Sequence, residues 1–148
     1  MVKIYKNMLD SFAQERSLLV TGTFVRRMIM TQTIEQIATA ISRHAFEDAY
    51  PHLLDDVQWN IIGGANLVGK AEIVAASNAS AEYLSGVTTR FDKFAARKMD
   101  NTVVIESTAT YTEQDGETSV VACCDIYDFV SGKLANITSY NIELPSDS

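Results

Sequence analysis

A chain of 148 residues, 47% hydrophobic and 21% charged, is sized for one folded domain with a real core. Its net charge of −7 excludes nucleic acid and an anionic membrane surface as partners, because both need a basic face. No apolar run approaches the roughly 18–20 residues that a membrane-crossing helix needs.

The charge is uneven. Residues 1–29 hold Lys3, Lys6, Arg16, Arg26 and Arg27 against Asp10 and Glu15, a balance of +3 that leaves −10 on the rest. Residues 17–25 are a short apolar run without a small-residue cleavage pattern after it, and Arg26-Arg27 follow that run instead of preceding it. Residues 1–29 are therefore expected to be a basic extension outside the domain, which would occupy residues 30–148.

The domain opens at Thr33, which with Gln36 matches a capping box. Ile34, Ile37, Ala38, Ile41 and Ala45 then recur at helical spacing. A second short helix is expected over residues 46–54, with Phe46, Tyr50, Leu53 and Leu54 facing inward and Pro51 limiting it. His44 and His52 fall at helix ends, where a histidine is expected to be exposed or capping. Val57-Gln58-Trp59-Asn60-Ile61 alternates as a strand does and ends at Gly63-Gly64. An alanine-rich helix runs from Lys70 to about Leu84 and breaks at Gly86.

Four strands follow, over residues 87–99, 102–112, 118–130 and 133–144. Asp100-Asn101, Asp115-Gly116 and Ser131-Gly132 mark the turns between them. Helices followed by a run of antiparallel strands predict an α+β fold.

Asp125 is the most informative residue. Alternation places Val121, Cys123, Asp125, Tyr127 and Phe129 on one face, and a carboxyl among such neighbours must be protonated, paired or wetted. It reads either as a pocket acid with a raised pKa or as a structural carboxyl bonded to Ser139 or Tyr140. Lys93, by its strand phase, is the cation that would pull it down. Cys123 and Cys124 are adjacent on a strand and point to opposite faces, so they are not expected to bond to each other, and a reducing, cytoplasmic setting fits. No His, Cys, Asp and Glu spacing suits a metal, and no glycine-rich phosphate loop is present, so no metal or cofactor is expected.

Leu54-Asp55-Asp56-Val57-Gln58-Trp59, Gly69-Lys70-Ala71-Glu72-Ile73, Val103-Val104-Ile105-Glu106 and Gly132-Lys133-Leu134 with Ile137-Thr138-Ser139-Tyr140 are similar, in order and spacing, to the SnoaL-like branch of the nuclear transport factor 2-like superfamily. Ketosteroid isomerases, polyketide cyclases and limonene epoxide hydrolases belong to that superfamily. The resemblance implies a cone: a curved antiparallel sheet wrapped around N-terminal helices, a cystatin-like α+β barrel, enclosing an apolar pocket. It sets Asp125 on the acid that donates a hydrogen bond to an oxyanion in ketosteroid isomerases. The isomerase tyrosine and shuttling aspartate fall near Ile37 and Ile61. The arginine and first aspartate of the epoxide hydrolases fall near Ser107 and Ala109, and the cyclase acid near Ser139.

The expected site is thus Asp125 as catalytic acid or hydrogen-bond donor, with Trp59, Ile61, Phe91, Ser107, Tyr111, Cys123, Tyr127 and Asn141 binding ligand. Two functions follow. One is a pocket protein for a small apolar molecule. The other is a cofactor-free isomerase, cyclase or lyase acting on a small carbonyl compound. A homodimer through the outer sheet face is expected, because Val120, Ala122, Ile126 and Tyr140 would otherwise be exposed.

Overall fold

The computed structural model describes residues 31–145 together with Lys3, Ile4, Lys6, Asn7 and Asp10. Helix α1 spans Ile34–Ser42 and begins with the capping box: Gln36 N–H donates to Thr33 Oγ1 at 3.2 Å, and Thr33 N–H donates to Gln36 Oε1 at 2.9 Å. Its apolar stripe buries Ile37, Ala38 and Ile41, and the helix stops before Ala45, which is exposed. The helix expected over residues 46–54 is not formed. Two 3₁₀ turns, Phe46–Asp48 and Tyr50–His52, stand there, and Leu53 already begins strand β1, Leu53–Ile61. Pro51 supplies no backbone N–H, so the segment is held to single turns.

Strand β2 (Asn66–Val68) and helix α2 (Lys70–Ser85) follow. The sheet is completed by β3 (Thr88–Met99), β4 (Thr102–Thr112), β5 (Thr118–Val130) and β6 (Lys133–Leu144). The β5–β6 turn has Ser131 at φ 50° and Gly132 at φ 79°. A tight hairpin turn of this hand needs positive φ at both positions, which glycine adopts without a side-chain clash.

The six strands lie in the order β2-β1-β6-β5-β4-β3. Neighbours are antiparallel except β1 and β6, which run parallel, so the curved sheet is mixed rather than wholly antiparallel. A register shift between Phe91 and Lys93 leaves Asp92 unpaired, and such a bulge bends its strand. Helix α1 lies on the concave face against β3, β4 and β5, and α2 covers β1 and β2.

Two apolar clusters fill the cone. The larger joins α1 to the sheet through Ile37, Ile41, Phe46, Val57, Ile105 and Ile137. The smaller contains Ala109, Tyr111, Val121, Cys123 and the N-terminal residue Ile4, which is 2% exposed. Most of the segment expected to lie outside the domain falls outside the described residues. Of its described members, Ile4 packs on β4 and β5, and the Lys3 ammonium pairs with Glu117 at 2.6 Å. Among the described residues, no helix is long and apolar enough to cross a membrane.

Candidate functional site

The inward phase of β5 sets Asp125 and Tyr127 against the C-terminal end of α1. Ser42 is the last residue of that helix, one step beyond Ile41 on its buried stripe. Its hydroxyl donates to Asp125 Oδ2 at 2.8 Å and lies 2.7 Å from Tyr127 Oη. Serine has one hydroxyl proton, so with that proton on Asp125 the bond to Tyr127 must be donated by the phenol. On the other side, Trp59 Nε1–H donates to Ser139 Oγ at 2.9 Å, and Ser139 hydrogen-bonds Asp125. Two relays, Tyr127–Ser42 and Trp59–Ser139, thus converge on one carboxyl.

Hydrogen bonds from Ser139 and Ser42 favour the carboxylate, but burial disfavours it more strongly, and the Asp125 pKa is raised. Lys93 does not reach this carboxyl. It pairs with Glu106 on the outer face, where Arg97 joins the same carboxylate at 3.3 Å. Tyr140, the other partner considered for Asp125, is exposed on that face. Burial, then the Asp125 charge, raises the Tyr127 pKa well above its ordinary value, which keeps the phenol a donor.

His44 corrects the reading of the sequence. It is neither a cap nor an exposed helix end. It adopts φ 65°, and its ring turns back into the cone. The ring centroid lies 5.8 Å from Phe46, 5.7 Å from Phe91 and 6.0 Å from Tyr111. Burial among these rings lowers its pKa to about 4, so the imidazole is neutral at pH 7 and offers a lone pair. Arg43 beside it stacks over Phe94 at 4.0 Å, outside the enclosure.

These groups wall one small cavity of about 20 Å³, room for a single water. Its lining is Ile41, Ser42, His44, Phe46, Trp59, Phe91, Ser107, Tyr111, Cys123, Asp125, Tyr127 and Ser139. Seven of the expected site residues (Trp59, Phe91, Ser107, Tyr111, Cys123, Asp125 and Tyr127) meet there. Ile61 and Asn141 do not: Ile61 is buried near the end of β1, and Asn141 sits one strand pair further out, opposite Cys123. A second, apolar void of about 10 Å³ shares Ile41, Phe46 and Trp59 with the first.

Sequence reasoning missed Ser42 and His44. The signal for Ser42 was legible as a hydroxyl on an apolar helical stripe. His44 left none, because its direction depends on one left-handed backbone residue.

A curved, unclosed sheet wrapped around helices, with an inward acid on one of its inner strands, defines an α+β cone of the nuclear transport factor 2-like kind. Residues 34–137 match the SnoaL-like domain, and the chain belongs to that family. It is similar to a nuclear transport factor 2-like protein of unknown function from Cytophaga hutchinsonii, with 32% identity over 72% of this chain and 94% of that one and a TM-score of 0.65. More distant in sequence is a protein provisionally assigned as a polyketide cyclase from Pseudomonas putida (19% identity, 74% and 91% covered, TM-score 0.57). A protein of ketosteroid isomerase-like fold from Catenulispora acidiphila, solved with trimethylamine, shares 14% identity over 74% and 86% of the two chains at TM-score 0.53. Comparison with curated protein sequences finds no match.

Proposed function

We propose that the protein binds a small apolar carbonyl compound inside the cone and transfers a proton on it without a cofactor. The observation that carries this reading is the presence of two titratable groups of opposite character in the wall of one apolar cavity, Asp125 with its pKa raised and His44 with its pKa lowered to about 4. A protonated Asp125 donates a hydrogen bond to the carbonyl oxygen. His44 accepts a proton from the adjacent carbon, which leaves an enolate whose oxygen is held by the Asp125 hydrogen bond, and the imidazolium returns the proton to the same or a neighbouring carbon. A base of low pKa suffices when the enolic oxygen is stabilised at the same time.

The cavity in its closed form is smaller than such a substrate, so entry requires side chains at its edge to move. Rotation of Trp59 would join the two voids it separates. Outside the cone, Tyr140, Ile142 and Leu144 are exposed along β6, at 46%, 63% and 38%. This row supports a homodimer through the outer sheet face.

Solvent deuterium exchange into the methyl group of para-methylacetophenone, followed by proton NMR, tests the chemistry. The expected result is protein-catalysed exchange that is abolished in both His44→Asn and Asp125→Ala. Exchange at the buffer rate with saturating protein would reject catalysis and leave a binding protein.

A further inference from the structure

Asn141 is a half-buried residue of the cone wall whose amide atoms the site above does not use. It follows Ile137 and Ser139 in the inward phase of β6 and is the direct strand partner of Cys123, a cavity-lining residue. Cross-strand partners on one face have their side chains in contact range. Both amide atoms, Nδ2 and Oδ1, are buried, and neither has a hydrogen-bond partner among the described residues. A side chain able to donate twice and accept twice is rarely left in this state.

The N-terminal residues lie over this corner. Ile4 packs on Val121 and Cys123, on the strand next to Asn141. The backbone N–H of Lys3 reaches Glu143 Oε2 at 3.5 Å, two residues beyond Asn141 on β6. The remaining fastenings are exposed or half-buried and polar: Lys3 to Glu117 at 2.6 Å, and Asn7 Nδ2 to the Tyr83 hydroxyl at 3.2 Å. An apolar side chain thus packs in the cluster that contains Cys123, the strand partner of the unsatisfied amide, and rim contacts of a kind that contributes little hold it there.

We propose that Asn141 is a second polar subsite, covered by Ile4 in the ligand-free protein, for a ligand group that both donates and accepts a hydrogen bond, such as a carboxamide. Asp125 pairs with Ser139 and Cys123 with Asn141, so the two subsites are two residues apart along the strands, about 7 Å. The ligand is therefore a short, flat, apolar molecule with a carbonyl at one end and an amide-like group at the other. This rests on the carbonyl reading of Asp125 for one end of the ligand only.

The test compares para-acetylbenzamide with para-methylacetophenone, in which a methyl group replaces the amide. Binding is read from the fluorescence of Trp59, the single tryptophan, which lines the cavity. In the full-length protein the amide should bind about tenfold more tightly, as expected for hydrogen bonds that satisfy a buried amide. In Asn141→Leu that preference should vanish while para-methylacetophenone binds as before. In Ile4→Ala both probes should bind more tightly with their ratio kept. Thermal melting checks that Asn141→Leu is folded, and Asn141→Ser replaces it if it is not. A wild-type preference below about twofold overturns the subsite, as does a preference that survives in the Asn141 variant. Asn141-dependent binding of the amide with no binding of para-methylacetophenone keeps the subsite and rejects the carbonyl reading. Failure of both probes to bind rejects both.

Discussion

Replacing His44 by Asn should change how stability depends on acidity. Asparagine tolerates the left-handed conformation at φ 65°, so the variant removes the ring without straining the turn. The folded-state pKa of His44 is about 4, below the ordinary 6.5, because burial disfavours the imidazolium. Below pH 6.5 the unfolded chain takes up a proton that the folded protein refuses, so His44 destabilises the fold increasingly as pH falls, levelling off below about 4. Two and a half pH units of proton refusal correspond to up to about 3 kcal/mol between pH 7 and pH 4. Asp125 acts in the opposite sense. Its pKa is raised, so its stabilising contribution is present at low pH and is lost as pH rises through the folded-state pKa. The wild-type curve alone therefore mixes two slopes. The difference between wild type and His44→Asn isolates the histidine, since Asp125 is present in both. Urea unfolding at fixed ionic strength from pH 7 to pH 4 measures that difference, and imidazole NMR gives the midpoint directly. A difference that stays constant within about 0.5 kcal/mol, or a midpoint near 6.5, would refute the buried neutral histidine.

Ser42→Ala should cost about 1–3 kcal/mol in urea unfolding at pH 7, because the Tyr127 phenol loses its buried acceptor and Asp125 loses a donor; no loss would mean that the relay is not formed. Ile142→Lys on the exposed β6 row should convert a homodimer to monomer in light scattering without lowering the melting temperature of the cone, and a wild-type protein that is monomeric at micromolar concentration would remove the dimer from consideration.

The fold was legible wherever local chemistry and global position agreed. The Thr33–Gln36 capping box, the Ser131-Gly132 turn and the strict alternation of β5 each specify their element without reference to distant residues. The parallel pairing of β1 with β6 was not legible, because strand periodicity says nothing of direction or partner. The segment around Pro51 misled for a physical reason. Phe46, Tyr50, Leu53 and Leu54 have helical spacing, yet one proline and a short run leave only 3₁₀ turns, and Leu53 pairs with Leu134 in the sheet. At the site, Asp125 announced itself because a carboxyl on an apolar strand face is costly without a reason. His44 did not, because its placement follows from φ at a single residue.

Asp125 and His44 face a common cavity, and their separation decides what they can do. In direct contact, a carboxylic acid and an imidazole can share or exchange a proton, and the resulting ion pair would spend both groups on each other. Here burial alone lowers the His44 pKa, and the causes acting on Asp125 are burial and its hydroxyl neighbours. Burial acts on the two in opposite directions, raising the acid and lowering the base, and both effects favour the uncharged pair. The hydroxyls of Ser42 and Ser139 oppose this only in part, because each is a neutral donor already tied to Tyr127 or Trp59. The same low dielectric that disfavours charge on both groups strengthens any hydrogen bond either makes to a ligand between them. A carbonyl compound there would meet a donor on one wall and an acceptor on another, with no competing charge among the lining residues. The apolar lining of Ile41, Phe46, Phe91 and Trp59 is in this sense part of the chemistry, because burial among it raises the pKa of the acid and lowers that of the histidine.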